Sequence, residues 1–132
     1  MIPLNNSFTV NPFDPAVDNP AEIAQLHLEV RQGQITDDDN IFSDLLASQR
    51  DLNAIDVFYI EPGGNFFVAR DSSSGMIAGF VGIRNEGNGI GQIKRLAVIK
   101  PFRHRGIGFA LVDAAVSWAS KHGYQRACQT NI

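Results

Sequence analysis

The sequence predicts an α+β fold in which a mostly antiparallel central sheet is flanked by helices, and three observations carry that expectation. Short apolar runs at Phe66–Arg70, Met76–Ile83 and Ile90–Ile99 are bounded by turn residues, as neighbouring strands are. Apolar residues recur at helical spacing after Pro20 and again after Gly106. The length of 132 residues with 44% hydrophobic content suits one core, so residues 1–132 are read as a single domain.

Taken in order, Phe8-Thr9-Val10 opens the sheet, and Asn11-Pro12 and Asp14-Pro15 impose extended or turning backbone. Asn19 is a helix N-cap and Pro20 suits the first helical position, with Ile23, Leu26 and Val30 as the apolar stripe. Thr36 and Asp37-Asp38-Asp39 predict a second helix start carrying Ile41, Phe42, Leu45 and Leu46. Those carboxylates have no histidine partners and no calcium-loop spacing, so no metal site is expected. Asp71–Gly75 and Gly87–Gly91 punctuate the strand runs as turns. A long helix is expected from about Gly106 to His122, presenting Phe109, Ala110, Val112, Ala115, Val116 and Ala119 on its apolar face and ended by Gly123. Tyr124–Thr130 is the expected final strand.

The net charge of −3 conceals a division along the chain: residues 1–83 hold 12 acids and 3 bases, whereas residues 84–132 hold 2 acids and 8 bases. A basic C-terminal part fits an anionic ligand, and it equally fits two halves that neutralise one another across the fold. An acidic chain with few clustered aromatics argues against a nucleic-acid partner. No apolar run reaches the length of a membrane span and the N-terminus lacks a signal core, so no membrane partner and a cytoplasmic location are expected. The lone Cys128, in an apolar stretch, is read as inert core.

The chemistry concentrates in Leu96-Ala97-Val98-Ile99-Lys100-Pro101-Phe102-Arg103-His104-Arg105-Gly106-Ile107-Gly108-Phe109, which runs from a strand end through a basic turn into a helix. Backbone N–H groups of a first helical turn lack internal acceptors and carry the positive end of the helix dipole, so they form an anion site. Gly106 and Gly108 leave the backbone accessible, and Arg103, His104 and Arg105 add charge suited to phosphate. The chain has no Walker loop. Gly106-Ile107-Gly108 is followed by Leu111 where a dinucleotide fingerprint needs a third small residue.

Arg103-His104-Arg105-Gly106-Ile107-Gly108 resembles the signature Arg/Gln-x-x-Gly-x-Gly/Ala of the GNAT superfamily of acyl-CoA-dependent N-acetyltransferases, and Ile93-Lys94-Arg95-Leu96-Ala97-Val98 is similar to the strand that precedes it. The resemblance implies acetyl-CoA as co-substrate, with pyrophosphate on the amides from Arg103 to Phe109 and the pantetheine arm alongside Leu96, Ala97 and Val98. It further implies direct attack by an unidentified amine acceptor in a ternary complex, aided by a backbone N–H near Val98. Relatives commonly continue into a further helix, often bearing a proton-donating tyrosine, and two strands; on that comparison the fold is expected to be C-terminally shortened. Many also place glutamate where Gln92 stands, and Gln92 cannot act as a base. Glu86, Tyr59 and Glu61 have no assigned role, His104 reads as an anion partner, Trp118 reads as core, and the catalytic residues stay unassigned. A homodimer is expected to cover the last strand's edge. The alternative reading is a non-catalytic acyl-CoA-binding or interaction module.

Overall fold

The computed structural model describes residues 7–32 and 49–129. Strand β1 (Phe8–Pro12) leads to helix α1 (Pro20–Gln32), and a 3-10 turn (Leu52–Ala54) and a π-helical turn (Asp56–Ile60) precede the strands β2 (Asn65–Asp71), β3 (Ile77–Gly87) and β4 (Ile90–Val98). A 3-10 turn (Lys100–Phe102) then enters helix α2 (Ile107–Lys121), and β5 (Arg126–Gln129) follows. The sheet order is β1-β2-β3-β4-β5. The first three pairings are antiparallel and β4 with β5 is parallel. The expected second helix, at Thr36 to Leu46, lies outside the described residues.

Both faces of the sheet are covered. Alternation along β2 sends Phe66 and Val68 to one side, where they meet Ile23 and Ala24 of α1 together with Leu52, Ile55 and Tyr59. Phe67 and Ala69 point to the other side, against Ile107, Leu111, Ala115 and Ala119 of α2. Pro12 sits at the end of edge strand β1, a position that needs no donor toward a further strand. Asn19 caps α1, its Oδ1 accepting from the Ala21 amide at 2.9 Å.

The buried stripe of α2 differs from the expected one. Ile107, Leu111, Ala115 and Ala119 repeat every four residues at no more than 2% exposure, whereas Phe109 is 81% exposed and Val116 42%. So many residues of this helix are apolar that period alone left its rotation undetermined; the small side chains at 115 and 119 decide it by letting the helix approach the sheet. Strand β3 runs on to Gly87, four residues past the apolar run, because hairpin pairing with β4 continues where side chains are exposed.

Candidate functional site

Among the described residues, strands β4 and β5 pair from Ile90↔Arg126 to Ile93↔Gln129. From there Lys94–Val98 pair with β3 alone among the described residues. The β3–β4 register slips at the same place: Gly82 faces Lys94 but Phe80 faces Ala97, so β4 carries one extra residue. Arg95 lies in this bulge with φ 62°. A one-residue slip reverses the alternation, so Leu96 and Val98 join Ile93 on the α2 side while Ala97 turns to the α1 side.

Strand β4 ends beside the start of α2. Gly106 is the helix N-cap at φ 81°, a left-handed conformation that glycine adopts freely, and no side chain caps the helix. The first intrahelical bond runs from the Ala110 amide to the Gly106 carbonyl at 3.0 Å, so the amides of Ile107, Gly108 and Phe109 precede the helical ladder. A Cβ added at Gly108 would meet only Val98 Cγ2, at 3.6 Å. The backbone there is open to a ligand from the side that faces the β4 edge. Arg103 Nε donates to the Val98 carbonyl at 3.0 Å, tying the loop to the strand end.

The three basic side chains of the loop differ in their surroundings. Arg105 Nη1 donates to Asp71 Oδ1 at 2.8 Å, and its guanidinium lies 5.3 Å from the centroid of the Phe102 ring. Asp71 is 4% exposed and also accepts from Ser74 and Ser73. Those serine bonds, then the bond from Arg105, hold its carboxyl well below the ordinary carboxylate range. Arg105 thereby fastens the loop to the turn between β2 and β3. Arg103 and His104 are exposed, and His104 adopts φ 68°.

The structure therefore brings together the two groups of residues singled out in the sequence: Leu96, Ala97 and Val98 at the end of β4, and Arg103, His104, Arg105, Gly106, Ile107, Gly108 and Phe109 at the helix start. The other residues considered lie elsewhere. Glu86 is exposed near the end of β3, and Glu61 is exposed just after the π turn. Gln92 is half-buried on β4 between Arg84 and Cys128. Trp118 stacks on His122 at 4.4 Å and packs against the α2-side core.

One buried polar cluster escaped the sequence reading. Arg95 clasps Asp51 through Nε at 3.0 Å and Nη2 at 2.7 Å, and Tyr59 donates its hydroxyl to Asp51 Oδ2 at 2.5 Å. Gln49 Oε1 accepts from Arg95 Nη1 at 3.3 Å, and its Nε2 donates to the Ala24 carbonyl at 3.3 Å. Burial, then the hydrogen bond to Asp51, raises the Tyr59 hydroxyl far above the ordinary phenol range. Despite its own desolvation, Asp51 is held below the usual carboxylate value by its bonds from Arg95 and Tyr59. Tyr59 is thus a fixed donor within the fold. The available signal was Arg95, beside Lys94, leading into the apolar strand end Leu96-Ala97-Val98.

Comparison with known proteins agrees with this geometry. The sequence profile of the Acetyltransferase (GNAT) family matches residues 29–131. No curated protein matches the sequence. Among solved structures, a GNAT-family acetyltransferase from Staphylococcus aureus Mu50 superposes with a TM-score of 0.78 at 20% identity, covering 96% of this chain and 74% of that one. A putative acetyl transferase from Pyrococcus furiosus gives 0.71 at 21% identity, covering 96% and 83%. Glucosamine-6-phosphate N-acetyltransferase from Arabidopsis thaliana gives 0.60 at 15% identity, covering 96% and 83%. The parallel pairing of β4 with β5, the glycine-bearing entry to α2 and a family profile spanning most of the sequence lead to one assignment: this chain belongs to the acetyltransferase (GNAT) family of N-acetyltransferase enzymes.

Proposed function

We propose that this protein, acting as one acetyl-CoA-binding domain over residues 1–132, transfers the acetyl group of acetyl-CoA to a primary amine by direct attack in a ternary complex. The observation that carries the reading is the meeting of a strand end, Lys94–Val98, that pairs with β3 alone among the described residues, with an uncapped helix start whose backbone is accessible at Gly108. On this reading the amides from Arg103 to Phe109 hold the pyrophosphate, with Arg103 and His104 adding charge. The pantetheine arm lies along Leu96, Ala97 and Val98 as an added strand.

A backbone N–H near Val98 polarises the thioester carbonyl. The neutral amine attacks the carbonyl carbon, the C–N bond forms, the C–S bond breaks, and the CoA thiolate departs. The amine proton passes to solvent. No side chain is assigned as general base.

The acceptor is a primary amine of unassigned identity. The Arabidopsis neighbour's name specifies glucosamine-6-phosphate, and that acceptor is one arm of the test rather than an assignment. We further propose a homodimer, because β5 is the sheet edge among the described residues and a second copy would cover it.

A CoA-thiol release assay with amino acids, amino sugars, polyamines and peptide N-termini tests the reading. Amine-dependent thiol release is expected for at least one class. Tight acetyl-CoA binding without release for any class would favour a non-catalytic acyl-CoA-binding module, and absence of binding would overturn both.

A further inference from the structure

We infer that Asp51, supported by Tyr59, is a positioning residue: it clamps Arg95 in a left-handed bulge and so sets the direction in which the donor-binding edge of β4 faces. The inference rests on the acetyl-CoA reading above and adds to it a device on the opposite face of the sheet.

Arg95 is not glycine, yet it holds φ 62°. A left-handed conformation is disfavoured for a residue with a Cβ, so the surrounding structure must enforce it. The enforcement is visible in the two-pronged grip of Asp51 on the guanidinium, at 2.7 and 3.0 Å, with Gln49 taking a third N–H. Tyr59 completes the grip from the other side of the bulge. Its hydroxyl binds Asp51, and its ring packs where a Cβ on Gly82, the β3 partner of Lys94, would approach Cε1 to 2.6 Å. Arg95 in the slip and Tyr59 packed against Gly82 thus converge on one carboxylate.

The slip matters to the donor side. Ile93 faces α2, and in an unbroken strand Arg95 and Ala97 would face it too. With the bulge, Leu96 and Val98 face α2 instead, and Val98 is the side chain next to Gly108 at the helix start. Loss of the bulge would turn Leu96 and Val98 away from α2. The end of β4 would then present different N–H and C=O groups to the pantetheine arm. The amides of Ile107, Gly108 and Phe109 belong to α2 and would stay in place, while the Arg103 link to the Val98 carbonyl would readjust.

The test compares Arg95→Ala, Arg95→Gly and the double variant Asp51→Asn with Arg95→Gly, which leaves no stranded carboxylate. Titration uses acetyl-CoA and, separately, the phosphate-bearing adenosine fragment of CoA without its pantetheine arm. Arg95→Ala is expected to weaken acetyl-CoA by roughly tenfold, the scale of a left-handed penalty for a non-glycine residue, while fragment binding stays within about twofold. Both glycine-bearing variants are expected within about threefold of wild type for acetyl-CoA, because glycine adopts this φ unaided. In ligand-free protein, the amide NMR resonances of residues 96–98 should move in Arg95→Ala and stay close to wild type in the glycine variants.

Equal losses for alanine and glycine, or unmoved resonances in Arg95→Ala, would overturn the clamp. Failure of the wild-type protein to bind acetyl-CoA would overturn the functional reading instead, and the ligand-free resonances would still decide the clamp.

Discussion

Replacement of Gly108 by aspartate separates folding from binding, because the two are predicted to respond in opposite directions. Gly108 is the second residue of α2, and its added Cβ would make an ordinary 3.6 Å contact with Val98 Cγ2. Removing a helical glycine is worth up to about 0.5 kcal/mol here, since glycine costs more than aspartate in a helix by roughly that amount. A carboxylate in the first helical turn adds about 0.3–1 kcal/mol through the helix dipole. The ligand-free variant should therefore be as stable as wild type or more so by about 1 kcal/mol, raising Tm by about 3–5 °C for a chain of this size. The same carboxylate would stand where phosphate must approach the backbone. Loss of two charge-assisted bonds at about 1.5–3 kcal/mol each predicts an affinity loss of at least about 100-fold for CoA. Thermal unfolding and isothermal titration calorimetry on the same preparation read both effects. A more stable protein with unchanged CoA affinity would refute the placement of the anion site, whereas a lower Tm would refute the local account of Gly108.

Three further perturbations follow from the same structure. Gly106→Ala should destabilise the protein by about 1–2 kcal/mol in denaturant unfolding, because φ 81° penalises a Cβ even though a Cβ there would meet nothing within 4 Å. Arg103→Ala should weaken CoA by about 1.5–3 kcal/mol while leaving pantetheine fragments without phosphate nearly unaffected; equal losses by calorimetry would place this side chain elsewhere. His27 is buried, and its pKa is lowered to about 4 from 6.5, first by desolvation and then by Arg95 and Arg31. The unfolded chain consequently binds the extra proton first, so stability present above pH 6.5 is lost as pH falls toward about 4, by up to about 3 kcal/mol. Urea unfolding across that range should show a shallower pH dependence in His27→Leu than in wild type, and identical slopes would contradict the assignment.

The legible parts of the fold were those fixed by local pattern. Asn19-Pro20 marked the start of α1, and Gly87 to Gly91 marked the hairpin between β3 and β4. The entry to α2 was legible because glycine at 106 and 108 beside three basic residues leaves few other physical readings. What remained illegible depends on partners distant in sequence. Asp51 and Arg95 meet across 44 residues, and Arg105 and Asp71 across 34, so no spacing rule connects them. Arg105 read as a phosphate ligand on charge alone, and the structure gives it an ion pair with a buried carboxylate as well. The left-handed Arg95 was hidden for the same reason, since a positive φ at arginine is imposed by tertiary contacts. The parallel alignment of β5 with β4 was not foreseen either.

A crystal structure of the protein with CoA would test the central claim most directly. The account predicts the pyrophosphate on the backbone amides between Arg103 and Phe109, with the pantetheine arm extended along Leu96, Ala97 and Val98. Density for CoA elsewhere, with the start of α2 and the β4 edge both free of ligand, would contradict it.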